Sequence, residues 1–186
     1  MKKIDLRSDT ITLPTKEMLD AIDRADLGDD VFQEDPTINQ LEELAAKRFN
    51  KQAALFVPSG TMANLVAVLS HCQRGDEVIL GDQAHTFLYE AGGISSFGGV
   101  HSRQLVNQAD GTIAIDDIKH AIRKEDVHFP TTRLICLENT HNRCFGMPLS
   151  SEYVNSVAEV AKNDSILVHV DGARIFNAAV FLDTSV

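Results

Sequence analysis

An α/β fold built on a layered, mostly parallel sheet is predicted by three features of this 186-residue sequence. Short apolar runs that read as strands alternate with amphipathic stretches that read as helices, which is the pattern of βαβ units. No internal repeat or low-complexity linker interrupts that alternation. The length suits one α/β domain and is sufficient for a substantial core.

The elements follow in order. After a polar N-terminal segment, Thr15 is placed to cap a helix carrying Met18, Leu19 and Ile22. Pro36 is placed to open a second, with Ile38, Leu41, Leu44, Ala45 and Phe49 along one face. Both are read as packing helices. Residues 53–57 read as a short buried strand broken by Pro58, after which Ser59-Gly60-Thr61 leads into an apolar helix over 62–72. A strand at 77–80 follows. Two more are expected at 133–138 and 166–171, each preceded by an amphipathic helical stretch, 116–124 and 151–162 respectively.

The net charge of −10 argues against nucleic acid as a partner, because phosphate binding needs clustered Lys and Arg. Cys72, Cys136 and Cys144 form no CxxC pair, and their odd number suits reduced thiols better than a disulfide scaffold. The opening residues lack the apolar core of a signal peptide, and no stretch has the apolar length of a membrane span. A cytoplasmic protein with no membrane partner is the expectation.

Polar groups gather where strands end. Pro58-Ser59-Gly60-Thr61 joins a strand to a helix start, whose free N–H groups and hydroxyls suit a phosphate or carboxylate, although a plain helix cap uses the same residues. Gly81-Asp82-Gln83-Ala84-His85 lies past the 77–80 strand, at the edge where such sheets meet ligands. A histidine there can act as acid or base, lie against an aromatic ring, or bond locally within its loop. Glu138-Asn139-Thr140-His141-Asn142 crowds polar groups after another strand, either for a ligand or as a loop scaffold. His141 and Cys144 make a poor zinc site without a second pair, so no metal is assigned.

In the run Leu167-Val168-His169-Val170-Asp171, alternation puts His169 and Asp171 on one face. An aspartate buried at a strand end needs a cation, and a protonated pyridine nitrogen or Arg174 would each serve. Taken together, an anion-binding turn, a histidine near a ring and an aspartate for a pyridinium nitrogen describe a pyridoxal phosphate site.

These residues bring the chain close to a known family. It resembles the L-threonine aldolases, pyridoxal-phosphate enzymes of the aspartate-aminotransferase-like fold. The likeness rests on Leu6-Arg7-Ser8-Asp9-Thr10, Gly28-Asp29-Asp30-Val31, Pro58-Ser59-Gly60-Thr61-Met62-Ala63-Asn64, Glu138-Asn139-Thr140-His141-Asn142 and His169-Val170-Asp171-Gly172-Ala173-Arg174, in the family's order. The resemblance implies a three-layer αβα large domain over residues 1–186, the N-terminal segment 1–14 included. It further implies that this domain is incomplete at its C-terminus and that the small C-terminal domain is absent.

It also implies roles. Gly60 and Thr61 would hold the cofactor phosphate, His85 would stack on the ring, Asp171 would pair with the ring nitrogen, and Arg174 would approach the phenolic oxygen or the substrate carboxylate. Ser8 would help fix that carboxylate. His128 resembles a second family histidine near the substrate hydroxyl, and Glu90 is a partner for a catalytic water. The reaction implied is retro-aldol cleavage of threonine or allo-threonine to glycine and acetaldehyde, carried out by a homodimer or homotetramer.

Two departures stand out. The family's cofactor-holding lysine should follow Arg174 by a few tens of residues, and the last lysine here is Lys162. A truncated, inactive or weakly active aldolase is therefore expected, with a related β-eliminating amino-acid lyase or a non-catalytic remnant that binds cofactor or partner subunits as alternatives. In the loop Asn142 to Pro148, Phe145 stands where relatives often have glycine; a positive φ there would make that loop differ locally.

Overall fold

The computed structural model describes residues 4–186. Met1 to Lys3, part of the opening segment read as lacking a signal-peptide core, lie outside the described residues. Contacts divide the chain into two units, Met1–Phe56 and Val57–Val186.

The first unit is held by side-chain caps. Ser8 accepts the Thr10 N–H at 3.2 Å and starts the 3₁₀ turn Asp9–Ile11. Helix α1, Lys16–Asp23, is capped by Thr15, as predicted. Helix α2, Pro36–Arg48, has proline at its first position and Asp35 as its cap. Asp35 also accepts the Gly28 N–H, and a Cβ on Gly28 would fall 2.1 Å from the Glu34 carbonyl oxygen, so only glycine fits there. The packing expected of these helices is seen only in part: Ile38, Ala45 and Phe49 on the apolar face of α2 are half-buried, whereas Leu41 and Leu44 of α2 and Met18, Leu19 and Ile22 of α1 are exposed. Residues 53–57 are not a strand either: Leu55 and Phe56 are exposed, and the Phe56 N–H is taken at 2.7 Å by the Glu42 carboxylate instead of a neighbouring strand. An apolar run signals burial but cannot supply a pairing partner.

The second unit is a four-stranded, wholly parallel sheet in the order β2-β1-β3-β4. Its strands are β1 (Glu77–Gly81), β2 (His101–Leu105), β3 (Thr132–Glu138) and β4 (Leu167–Asp171). Helix α3 (Gly60–His71) precedes β1. The short α4 (His85–Leu88) and α5 (Gly93–Ser96) join β1 to β2, α6 (Ile115–Ala121) leads to β3, and α7 (Ser151–Asn163) leads to β4. Helix α8, Ile175–Leu182, follows. Strand β2 escapes sequence reading because its residues, His-Ser-Arg-Gln-Leu, carry almost no apolar signal. It is an edge strand, specified by in-register pairing with β1 from Glu77 opposite His101 to Gly81 opposite Leu105.

Alternation along the inner strands separates two cores. Val78, Leu80, Leu134 and Cys136 face Val68 and Cys72 at the α3 end and Ile94 of α5. Ile79, Ile135 and Leu137 face Ile118 and Ala121 of α6 and Val157, Val160 and Ala161 of α7. The three-layer αβα arrangement is thus present, each large buried side chain contributing about 1.5–3 kcal/mol by removal from water. At the amino edge of the sheet Glu77, fully buried, accepts Arg123 Nε at 3.0 and 3.1 Å and the Thr132 hydroxyl at 3.2 Å, which ties β1 to the α6–β3 connection.

Candidate active site

Parallel strands deliver their carboxyl ends to one edge, and the polar groups singled out in the sequence collect there. Asp171 is the last residue of β4. One of its carboxylate oxygens accepts the Ala173 N–H at 3.2 Å and the other accepts Asn64 Nδ2 at 2.9 Å. Asn64, buried in the second turn of α3, also donates Nδ2 to Glu90 Oε1 at 2.7 Å, and its Oδ1 lies 2.8 Å from His169 Nε2. His169 and Asp171 therefore do share a face of β4, and Asn64 is where they meet.

His85 opens α4 just past β1. Its Nδ1 lies 2.9 Å from Glu90 Oε1, and its side chain keeps 40% of its surface exposed, so the ring retains an accessible face. The backbone carrying it is fixed from β3: Glu138 Oε2 accepts the His85 N–H at 2.7 Å, while Glu138 Oε1 accepts the Asn142 N–H at 2.9 Å. A carboxylate buried at a strand end is tolerable because N–H donors meet it. Asn139 exchanges two side-chain hydrogen bonds with the Leu149 backbone, at 3.1 and 3.3 Å. Much of the 138–142 segment is thus loop scaffold.

The loop that aims His85 depends on Gly81. Asn107 Oδ1 accepts the Gln83 N–H at 3.0 Å, Asn107 N–H donates to Asp82 at 2.9 Å, and a Cβ on Gly81 would fall 2.0 Å from Asn107 Oδ1. His141 is buried with neither ring nitrogen hydrogen-bonded among the described residues, its Nε2 lying 4.0 Å from Glu138 Oε2. Burial lowers its pKa below the usual histidine value, against the opposing pull of the Glu138 charge. Burial lowers that of His169 as well, with the Asp171 charge opposing.

Helix α3 starts one turn before Asn64. Ser59 caps it by accepting the Met62 N–H at 3.2 Å, which leaves the first N–H groups, on Gly60 and Thr61, without intrahelical acceptors. A Cβ built on Gly60 meets nothing within 4 Å, so open space lies over that backbone.

Of the residues assigned from sequence, the structure therefore brings His85, Glu90 and Asp171 together, with Gly60 and Thr61 at the head of the same helix as Asn64. Arg174 is the residue before α8, directly after the Asp171 turn. Ser8 belongs to the first unit, where it caps the turn described above. His128 is not brought to this edge. It sits before β3, at the opposite end of a seven-residue strand that spans about 20 Å, with its side chain 83% exposed and its Nδ1 2.9 Å from Asp126. Placement ahead of a parallel strand puts a residue at the amino edge of the sheet.

Asn64 and Glu138 are the residues whose part sequence reading missed. The signal for Asn64 was a lone amide in the apolar helix at 62–72. Ligand atoms of His85, Glu90 and Asp171 lie within 4.8 Å of one another, a spacing that also suits a metal, but the donor meeting both carboxylates is the Asn64 amide.

The αβα scaffold thus presents a carboxylate, a histidine and an open helix start at the carboxyl edge of its sheet. The chain belongs to the β-eliminating lyase family, whose description, Beta-eliminating lyase, matches residues 5–186. Among its relatives, the probable low-specificity L-threonine aldolase 2 of Arabidopsis thaliana is 52% identical over 189 residues, covering 100% of this chain and 53% of the relative. The low specificity L-threonine aldolase of Escherichia coli strain K12 is 49% identical over 177 residues, covering 95% and 52%. The chain spans about half the length of the curated relatives it matches. In fold it is similar to the threonine aldolase of Leishmania major, with a TM-score of 0.74 at 21% identity over 88% of this chain and 48% of that one.

Proposed function

We propose that this chain carries the ring-nitrogen, ring-face and phosphate contacts of a pyridoxal phosphate enzyme that cleaves L-threonine or L-allo-threonine to glycine and acetaldehyde. The observation that carries the reading is Asp171, presented at the end of β4 with its carboxylate oriented by Asn64 and the Ala173 N–H, beside an accessible His85 ring. The residues suit the cofactor: Asp171 is an acceptor for a pyridinium N–H, the His85 ring offers a face, and the space over Gly60 leaves room for a phosphate at the Gly60 and Thr61 N–H groups. Bound there, the cofactor would serve as the electron sink for the breaking Cα–Cβ bond.

The protein's own contribution is electrostatic and positional. Asp171 keeps the ring nitrogen protonated, since loss of that proton would leave a carboxylate without its cation. His85 holds the ring plane, and its Nδ1, paired with Glu90, fixes which nitrogen faces outward. Glu90 is kept to an orienting role by its burial and its two partners. Arg174 is assigned to the phenolic oxygen or the substrate carboxylate. His128 is left without a role in its own chain's site.

The last lysine in the sequence is Lys162, which lies in α7 ahead of β4, and no imine-forming role is assigned to it. A homodimer or homotetramer in the cytoplasm completes the reading, supported by the exposed apolar side chains Val180 and Phe181 on α8. Among the described residues no helix is long and apolar enough to cross a membrane.

The test is to assay the protein purified from its native source with threonine and allo-threonine, and to titrate the present chain with pyridoxal phosphate. Glycine and acetaldehyde release together with saturable binding that Asp171→Asn weakens is expected. Absence of both products from the native-source protein would sink the assignment.

A further inference from the structure

Asn64 faces two carboxylates, Glu90 and Asp171, and one imidazole, His169. Ionised carboxylates only accept hydrogen bonds, so the Nδ2 end of the amide must face them and Oδ1 must face His169. An amide oxygen cannot donate either, and His169 Nε2, 2.8 Å away, must therefore carry a proton. We propose that His169 is a positioning residue: its Nε2–H locks the Asn64 amide in the one orientation that aims both Nδ2 hydrogens at Glu90 and Asp171.

The geometry gives the lock its reach. From Asn64 Nδ2 one path runs 2.9 Å to Asp171 Oδ2, and the other runs 2.7 Å to Glu90 Oε1 and a further 2.9 Å to His85 Nδ1. One amide thus sets the residue for the ring nitrogen and the residue for the ring face relative to each other. Turned over, the amide would put its oxygen against two carboxylates, separating them and moving both groups. His169 lies between Val168 and Val170 in a strand where another apolar residue would be easier to bury, and burial holds it neutral, as a fixed Nε2–H tautomer requires. That the lock serves a cofactor rests on the proposed function; the lock itself rests on the hydrogen bonds.

Three measurements test it. In the unaltered, cofactor-free chain at pH 7.5, long-range ¹H–¹⁵N spectra read the His169 tautomer: the Nε2–H form is expected and the Nδ1–H form overturns the proposal. Exchange of the Asn64 side-chain hydrogens should accelerate about tenfold in His169→Leu, as loss of one hydrogen bond implies, and stay near the unaltered rate in His169→Gln, which retains a donor. Equal rates in all three proteins overturn the proposal. With pyridoxal phosphate labelled at the ring nitrogen, the ¹⁵N shift should report loss of the ring proton at lower pH in His169→Leu, with recovery in His169→Gln. Accelerated exchange in a chain that binds no cofactor upholds the lock and counts against the cofactor reading instead.

Discussion

Asn64 and Asp171, 107 positions apart in the chain, are joined by a 2.9 Å hydrogen bond from the amide nitrogen to the carboxylate. The bond connects the second turn of α3 to the end of β4 and relieves a crowded site, because the same nitrogen meets Glu90. Asn64→Ala would remove the donor between two neighbouring carboxylates. A cost of about 2–3 kcal/mol is expected, since both carboxylates lose their shared donor. Urea denaturation checks this; a midpoint unchanged from the parent would show that the carboxylates are not what the amide holds.

Gly81 governs the turn that aims His85. Its missing side chain admits Asn107, which bonds the Gln83 N–H and, through Nδ2, the Gly111 carbonyl at 3.1 Å. Gly81→Ala is expected to displace that amide and cost about 1–3 kcal/mol. A denaturation midpoint unchanged from the parent would mean Asn107 can move aside freely.

Stability should also depend on pH through two histidines. Burial holds the pKa values of His141 and His169 below the ordinary histidine value of 6.5, so between that value and their folded-state values the unfolded chain binds protons that the folded one refuses. The sign follows: their contribution is complete above about pH 6.5 and is lost as pH falls, at no more than about 1.4 kcal/mol per unit per histidine. Denaturation at pH 7.5, 6.5 and 5.5 should show this decline, and His141→Gln with His169→Gln should flatten it. An unchanged slope in the double variant would refute the assignment.

Much of this was legible in the sequence for definite reasons. Strands β1 and β3 announce themselves because both faces are buried, so their residues are largely apolar, and β4, a half-buried edge strand, does so through Leu167, Val168 and Val170. Strand β2 does not, because an edge strand can be polar and still pair. The 53–57 run misleads in the opposite sense, being apolar without a partner. At the site, His85 and Asp171 could be placed by their position after strands. Asn64 could not, since a helix residue declares its partners only once the sheet is folded against it. His128 was drawn to the site by motif, although its place before β3 already put it at the other edge.

Phe145 joins the sequence reading to a measurable strain. Its φ is +58°, in the left-handed region that residues with a Cβ enter at a cost of about 1–3 kcal/mol. The following Gly146 is left-handed too, at +69°, so the turn that returns the Met147 carbonyl to the His141 N–H at 2.9 Å requires consecutive residues with positive φ. Phe145 as a whole is 93% exposed and has little packing to lose. Phe145→Gly would relieve the strain while adding about 0.5–1 kcal/mol of backbone entropy to the unfolded chain. The balance favours a gain of about 0.5–1 kcal/mol, whereas Phe145→Ala, which keeps a Cβ, should change stability little. Denaturation midpoints of the three proteins decide it: a glycine variant less stable than the alanine one would show that the left-handed turn at 145 is not strained.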